Sequence, residues 1–292
     1  MKVDFHFHST ASDGTYAPAE LAERGGGFAA LALTDHDNCD GVAEFLSAPV
    51  SGPARRIAGI ELSIDPGAGF DRFHLLGLGV DPADAGLGAF LRRVLDGRNA
   101  RNARILANFR RLGIEMDGIG TYAHGEVLAR PHFARWLVDR GLAADVRDAF
   151  AKYLLPDSPP ATRCYETRYR PSQEEAFAVI HAGGICVMAH PKFWRRSWRE
   201  TGCDFAAAGR ELARLKEAGL DGLEALYQAN TAEENVGFTR LCTSLGLLKS
   251  AGSDFHGANK PDIPLGMDVT ERFVAPLLER LASCPTLAAL SR

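Results

Sequence analysis

The sequence has no Cys-x-x-Cys pair: its six cysteines, at 39, 164, 186, 203, 242 and 284, are scattered over 292 residues. That spacing argues against a cysteine-ligated zinc site and against a disulfide framework; it is the pattern of reduced thiols in a cytoplasmic protein. No apolar run approaches the roughly 20 residues needed to span a bilayer, and the N-terminus enters a strand-like run without an apolar leader. The expectation is a soluble protein with no membrane partner. Low-complexity tracts and internal repeats are also missing, which excludes disordered arrays and solenoids. A strong excess of one charge sign is lacking too, since the formal net charge is −4. Long duplex nucleic acid is therefore not attracted in general, and an anionic ligand has to be drawn by local charge.

What is present is a globular composition, 46% hydrophobic and 24% charged, in a chain long enough for a large core. Seven short apolar runs recur along it: VDFHFH, AALALTDH, RRIAGIELSI, FHLLGLGV, GGICVMAH, GLDGLEALY and LLKSAGSD. Amphipathic segments such as PAELAERGG and GRELARLKEAG separate them, the pattern of a mostly parallel sheet covered by helices. A closed α/β barrel accounts for seven such runs better than an open sheet. From 84 to 170 the alternation stops, and successive helical stretches run to the proline-rich LLPDSPPATRCY. This predicts a barrel from 1–83 and 171–292, with 84–170 as a helical insertion capping the active-site rim.

The polar residues of these runs fall in one pattern. His6 and His8, His36, Glu61, His74, His190, and Asp254 with His256 all stand at or near what read as the C-terminal ends of strands, and Asp13 follows closely. On a strand, His6 and His8 share one face while Val3, Phe5 and Phe7 fill the other. Chemistry in barrel enzymes sits on that rim. Six of the nine histidines belong to this set; only His124, His132 and His181 lie outside it. Packing does not explain six imidazoles and three carboxylates at strand ends, because each buried imidazole would need its own partner. The set reads as metal ligands, and imidazole with carboxylate but no thiolate favours manganese, with iron or zinc as alternatives. Nine ligands suit two or three divalent ions. Asp13, Glu61 and Asp254 do not neutralise even two such ions, so the site is left positive and fits an anion such as phosphate.

With those residues in view, the chain resembles the polymerase and histidinol phosphatase (PHP) family of the amidohydrolase-like superfamily. DFHFHSTASDG, LTDHD, GIELS, FHLLGLG, AHP and SDFH occur in the family's order over nearly the whole chain. Within it, ARPHFARWLV and AHPKFW point to the bacterial enzymes that remove the 3′-phosphate from nucleoside 3′,5′-bisphosphates. The resemblance implies a distorted seven-stranded TIM-like barrel with a trinuclear site. His6, His8, Glu61 and Asp254 would hold the first ion and carry catalysis; Glu61, His74 and His190 the second; Asp13, His36 and His256 the third. Metal-activated hydroxide would attack phosphorus, and Asp35, Asp37 or His132 would protonate the leaving oxygen.

Beyond the metals, Arg130 could clamp the phosphate that is not hydrolysed, with His132 beside it as a donor. In PKFWRRSWRE, Trp194 or Trp198 could stack on a base while Lys192, Arg195 or Arg196 meets a phosphate. Tyr227 and Asn230 lie past GLEAL and could face substrate. Arg98, Arg101 and Arg104, spaced by three on a helix, read as a solvated face. The expected substrate is a small nucleotide, adenosine 3′,5′-bisphosphate for instance. Competing expectations are a 5′–3′ exonuclease on short 5′-phosphorylated RNA, a histidinol phosphate phosphatase, an amidohydrolase cleaving C–N bonds, and a non-catalytic nucleic-acid or polymerase accessory module.

Overall fold

The computed structural model describes residues 1–67, 71–123, 127–195, 198 and 202–284; His124 and Arg196 lie outside these. The barrel begins with β1 (Lys2–Phe7), α1 (Pro18–Arg24), β2 (Ala30–Leu33), α2 (Val42–Ser47), β3 (Arg55–Ile64) and β4 (Phe73–Leu78). There follow α3 (Ala85–Arg111), α4 (Arg130–Asp139), the single turn α5 (Val146–Ala149) and a π-helical turn at Phe150–Leu154. The chain then returns through α6 (Gln173–His181), β5 (Ile185–Met188), α7 (Phe205–Glu217), β6 (Gly222–Tyr227), α8 (Ala232–Leu245) and β7 (Leu248–Gly252). The two-residue β8 (Met267–Asp268) and α9 (Glu271–Ala282) end the described chain.

The strands form one sheet in the order β7-β6-β5-β4-β3-β2-β1-β8. It closes nearly into a barrel, because the end of β1 reaches the segment after β7: His8 N donates to Phe255 O at 2.9 Å and Asp254 N to His6 O at 2.7 Å. All seven apolar runs of the sequence are strands, and β8 is an antiparallel addition to β1. Among β1–β7 the pairing is parallel except around β4, which is antiparallel to both β3 and β5. His74 therefore stands at the N-terminal end of its strand, not the C-terminal end. It reaches the common rim because β4 runs the other way.

One apolar cluster joins strands that are not neighbours, through Val3, Phe5, Ala32, Ile57, Leu78 and Val187 among others, so it is the barrel interior. Val274, Leu277 and Leu281 of α9 pack on it, covering the end opposite the histidine-rich rim. A second cluster sets β3–β6 against α3, α6, α7 and α8. Phe5 and Phe7 do not share a layer as simple alternation suggests. The β1–β2 register shifts between Asp4 and Phe7, and Phe7 packs with Leu21 and Phe45 beneath α1 and α2. The helices between β4 and β5 hold a small core of their own around Phe109, Phe133, Trp136 and Leu154.

Candidate metal centre

Two buried carboxylates shape the rim. Asp35 accepts from Ser9 N at 2.8 Å, Ser9 Oγ at 2.6 Å and Ser12 Oγ at 2.5 Å, folding the loop after β1. A Cβ on Gly14 would lie 2.2 Å from the His8 carbonyl oxygen, so glycine lets this loop turn back and carry Asp13 over the rim. Asp4 accepts from Ser253 N, Ser253 Oγ and Gly266 N at 3.0, 2.6 and 2.8 Å, fixing the segment that bears Asp254 and His256. On the other side, Asp37 N donates to Glu61 O and Glu61 N to Asp35 O, which sets His36 beside Glu61. Asp37, His190 and Asp254 all have positive φ, at 58°, 28° and 57°. Such backbone strain in non-glycine residues gathers at functional sites.

Glu61, only 1% exposed, is the centre of the cluster. Its Oε1 lies 2.7 Å from His74 Nδ1 and 3.1 Å from His190 Nε2; its Oε2 lies 2.7 Å from His36 Nδ1, 3.4 Å from His6 Nε2 and 3.3 Å from His8 Nε2. Asp254 Oδ1 is 3.6 Å from His6 Nε2 and 3.4 Å from His8 Nε2. Asp13 Oδ1 is 3.3 Å from His256 Nε2 and 3.8 Å from His36 Nε2. Three overlapping groups result, each able to hold a cation: His6–His8–Glu61, His36–Glu61–His74 and His8–Asp13–His36–His256.

The residues fit metal ions. The buried Asp13 Oδ1 and Glu61 Oε2 accept no well-aligned hydrogen bond, although imidazoles surround them. Lone pairs left bare in this way are poised for a cation. Burial by itself would lift the Asp13 and Glu61 carboxyls, but the neighbouring imidazoles of His36, His256 and His6 outweigh it and hold both well below the carboxylate range. Burial would likewise lower His6, yet Glu224, Glu61 and Asp254 hold it well above its ordinary value. His74 behaves oppositely: burial, with help from His190 and His36, lowers it to about 4 against the pull of Glu61, so this ring stays neutral at pH 7.

Glu224, which the sequence pattern did not single out, fixes the tautomer at the centre. His6 Nδ1 donates to its Oε1 at 3.0 Å, leaving Nε2 free to face Glu61 and Asp254, and its Oε2 accepts from His190 N at 2.6 Å. A carboxylate behind a ligating histidine orients the ring and raises its basicity. The close approach needs Gly252, where a Cβ would lie 2.1 Å from Glu224 Oε1.

Two cavities open onto the cluster and share His36, Ser63, His74 and Arg170. The larger, about 510 Å³, has walls from Phe73, Phe193, Trp194 and Tyr227, with Arg72 and Lys260 at its polar side. The smaller, about 170 Å³, is lined by five arginines: Arg98, Arg101, Arg130, Arg168 and Arg170. Asp37 anchors two of them, contacting Arg98 Nη2 directly and Arg168 Nη2 at 2.8 Å. Arg130 is held over the rings of Phe150 and Tyr165, 5.6 and 5.5 Å from their centroids, and donates to Leu154 O in the π-helical turn. Among the described residues, Arg101 Nε and Nη2 have no hydrogen-bond partner. The arginines exceed the acids beside them, so the cavity suits an anion with more than one charge.

Several expectations are corrected here. Arg98 and Arg101 are not on a solvated face: both are buried and turned into the small cavity, whereas Arg104 is exposed. His132 lines neither cavity, and its Nδ1 accepts from Ala129 N at the start of α4. Asp37, held low by Arg168 and Arg98 against the effect of burial, presents no proton, and Asp35 is taken up by its three donors from Ser9 and Ser12. Arg195 is paired with Glu211, Asn230 donates to Asn235 Oδ1, and Lys192 is bound by Ala229 O and Glu234; none of the three lines either cavity. Trp194 lines the large cavity and Trp198 packs behind it at 6.0 Å between ring centroids. Tyr227 is at the site, donating to Asp254 Oδ2 at 2.9 Å, beside Lys260 at 2.5 Å. Arg168, Arg170 and Lys260 were missed, since they sit in irregular segments with no periodicity to mark them.

A nearly closed barrel bearing overlapping His/Asp/Glu cation groups defines a metal-dependent hydrolase of the phosphoesterase type, and the chain belongs to the PHP family. The comparisons narrow this further. The chain is 35% identical over 263 residues, 87% of each chain, to a 3′,5′-nucleoside bisphosphate phosphatase of Chromobacterium violaceum. It is 33% identical over 264 residues to a 5′-3′ exoribonuclease of Haemophilus influenzae, covering 87% of this chain and 90% of that one. Among solved structures, one described as an amidohydrolase from Chromobacterium violaceum with bound sulfate and no metal superposes with a TM-score of 0.81 at 31% identity, covering 97% of this chain and 96% of that one. A protein from Bifidobacterium adolescentis assigned as a metal-dependent phosphoesterase gives 0.77 at 26% identity, covering 96% and 95%. No family model matches the chain. Among the described residues no helix is long and apolar enough to cross a membrane.

Proposed function

We propose that this protein is a phosphohydrolase that removes the 3′-phosphate from nucleoside 3′,5′-bisphosphates, leaving the nucleoside 5′-monophosphate. The observation that carries this reading is the five-arginine cavity directly beside the cation cluster. One phosphate has a place among guanidiniums that cannot hydrolyse it, and the other a place over the cluster. His6, His8, Glu61 and Asp254 would hold one ion, Glu61, His74 and His190 a second, and Asp13, His36 and His256 a third, with manganese favoured over iron or zinc. Bound there, divalent ions activate water near neutral pH and neutralise charge growing on the phosphoryl oxygens.

The rest falls to the chain itself. Arg130 and Arg101 bind and orient the retained phosphate, and Asp37 holds Arg98 and Arg168 in reach of it. Tyr227 and Lys260 fix the Asp254 carboxylate. Phe193 and Trp194 offer the nucleoside an aromatic wall in the larger cavity. The segment 84–170, which supplies Arg98, Arg101, Arg130 and Arg168, acts as a cap over the rim. Hydrolysis adds one water across the P–O3′ bond: its oxygen stays on phosphorus and O3′ leaves with a proton.

Relatives named as exoribonucleases favour a second reading on the same geometry, with a short 5′-phosphorylated RNA placing its end among the arginines. Phosphate release from adenosine 3′,5′-bisphosphate by manganese-loaded protein tests the main reading. Turnover that disappears in His8→Ala supports it. A metal-replete protein that releases none overturns it.

A further inference from the structure

We propose that His181, Cys186 and Asp221 form a second, thiolate-containing cation site of the zinc class, at the end of the barrel opposite the candidate metal centre. His181 is the last residue of α6, Cys186 the second of β5, and Asp221 immediately precedes β6. One ligand atom from each lies within 4.8 Å of the other two. His181 Nε2 is 2.8 Å from Asp221 Oδ2. The same oxygen accepts from Cys186 N at 2.8 Å, and Asp221 N donates to Cys186 O at 3.0 Å, so the backbone holds the carboxylate against the thiol's own residue.

Zinc bonds of about 2.0–2.3 Å place tetrahedral ligand atoms roughly 3.3–3.8 Å apart. A separation at the 4.8 Å limit would have to close by about 1 Å, and the 2.8 Å His–Asp pair to open by about half that. The site is distinct from the rim. Cys186 and His190 are four residues apart along β5 and its continuation, about 13 Å at strand rise.

The ligand chemistry separates the two ends of the barrel. The rim offers imidazole and carboxylate only; among the described residues, this is the one ligand group that contains sulfur. Thiolate selects zinc-like ions over magnesium or manganese. Neutral imidazole, thiolate and carboxylate balance a divalent ion's charge. The His181 side chain is 35% exposed, which leaves a path of entry and room for water as a fourth ligand. As the sulfur–metal bond forms, the Cys186 proton leaves to solvent. The ion would staple α6 to β5 and β6 at the barrel's base, with no part in the chemistry at the rim.

Cobalt titration of manganese-loaded protein tests this, because rim ligands cannot give a thiolate-to-cobalt charge-transfer band. The expected result is such a band saturating at one cobalt per chain, with a rise in melting temperature when zinc replaces cobalt. His181→Ala alters a partly exposed side chain and is expected to fold, to keep its manganese, and to lose both effects. Cys186→Ser is expected to lose the band as well. A protein with no band at saturating cobalt, or a band that survives both substitutions, overturns the proposal; the former would mean a hydrogen-bonded His–Asp pair beside a core thiol. Neither result depends on which substrate the rim hydrolyses.

Discussion

Replacing Arg101 by methionine is expected to stabilise the free protein and to weaken its hold on a doubly phosphorylated nucleotide. Arg101 is 3% exposed, and two of its guanidinium nitrogens have no hydrogen-bond partner among the described residues. Burial, and then the guanidiniums of Arg98, Arg130, Arg168 and Arg170, depress its pKa from 12.5 to about 8. That depression corresponds to about 6 kcal/mol against the charged form. Water in the adjoining cavity screens part of it, and a hydrophobic side chain of similar length should recover about 1–3 kcal/mol of folding stability. A charge-assisted hydrogen bond to phosphate contributes about 1.5–3 kcal/mol, so KM should rise on the order of 10- to 100-fold, with a smaller change in kcat. The assay is urea denaturation of the wild type and Arg101→Met without ligand, beside steady-state kinetics on adenosine 3′,5′-bisphosphate. A variant that is less stable and binds as tightly as before would make Arg101 a structural residue, and the anion cavity would lose its main support.

Three further outcomes follow from the same geometry. Glu224→Gln should loosen His6 and lower metal affinity about 10- to 100-fold, read by competition with a chelator; unchanged affinity would leave Glu224 without a role at the metal centre. Asp37→Asn would leave Arg98 and Arg168 buried without their shared anion, a loss of about 3 kcal/mol in denaturation, with KM rising more than kcat falls. Metal binding should strengthen with pH. His6, raised well above its ordinary value by its carboxylate neighbours, stabilises the metal-free fold fully below about pH 6.5 and loses that contribution as pH rises through its folded pKa. Ions bind the deprotonated ring, so the manganese-induced gain in melting temperature should grow from pH 6 upward, and a gain that shrinks would contradict the assignment.

The candidate metal ligands were legible because packing alone does not gather six imidazoles at strand ends, and short apolar runs separated by amphipathic segments marked all seven barrel strands. Strand direction was not legible: FHLLGLGV reads equally well either way, and only pairing shows that His74 begins an antiparallel strand. The arginine cavity was hidden for a different reason. Polar residues at i and i+3 look alike whether a helix face meets water or a buried anion site, and only what α3 packs against distinguishes them. Arg168 and Arg170 stand in an irregular stretch that no period marks. Glu224 did leave a signal, a carboxylate inside the otherwise apolar strand run GLEALY, which argues for a buried partner.

The identity of the nucleotide left after turnover tests the central claim most directly. Metal-loaded protein is incubated with adenosine 3′,5′-bisphosphate and the product is resolved by chromatography against both monophosphates. Adenosine 5′-monophosphate alone is the expected product, because the five arginines of the smaller cavity hold the 5′-phosphate and leave the 3′-phosphate to the cation cluster beside them. Adenosine 3′-monophosphate, or a mixture of the two, would contradict the assignment of the cavity and with it the order in which the site reads its substrate.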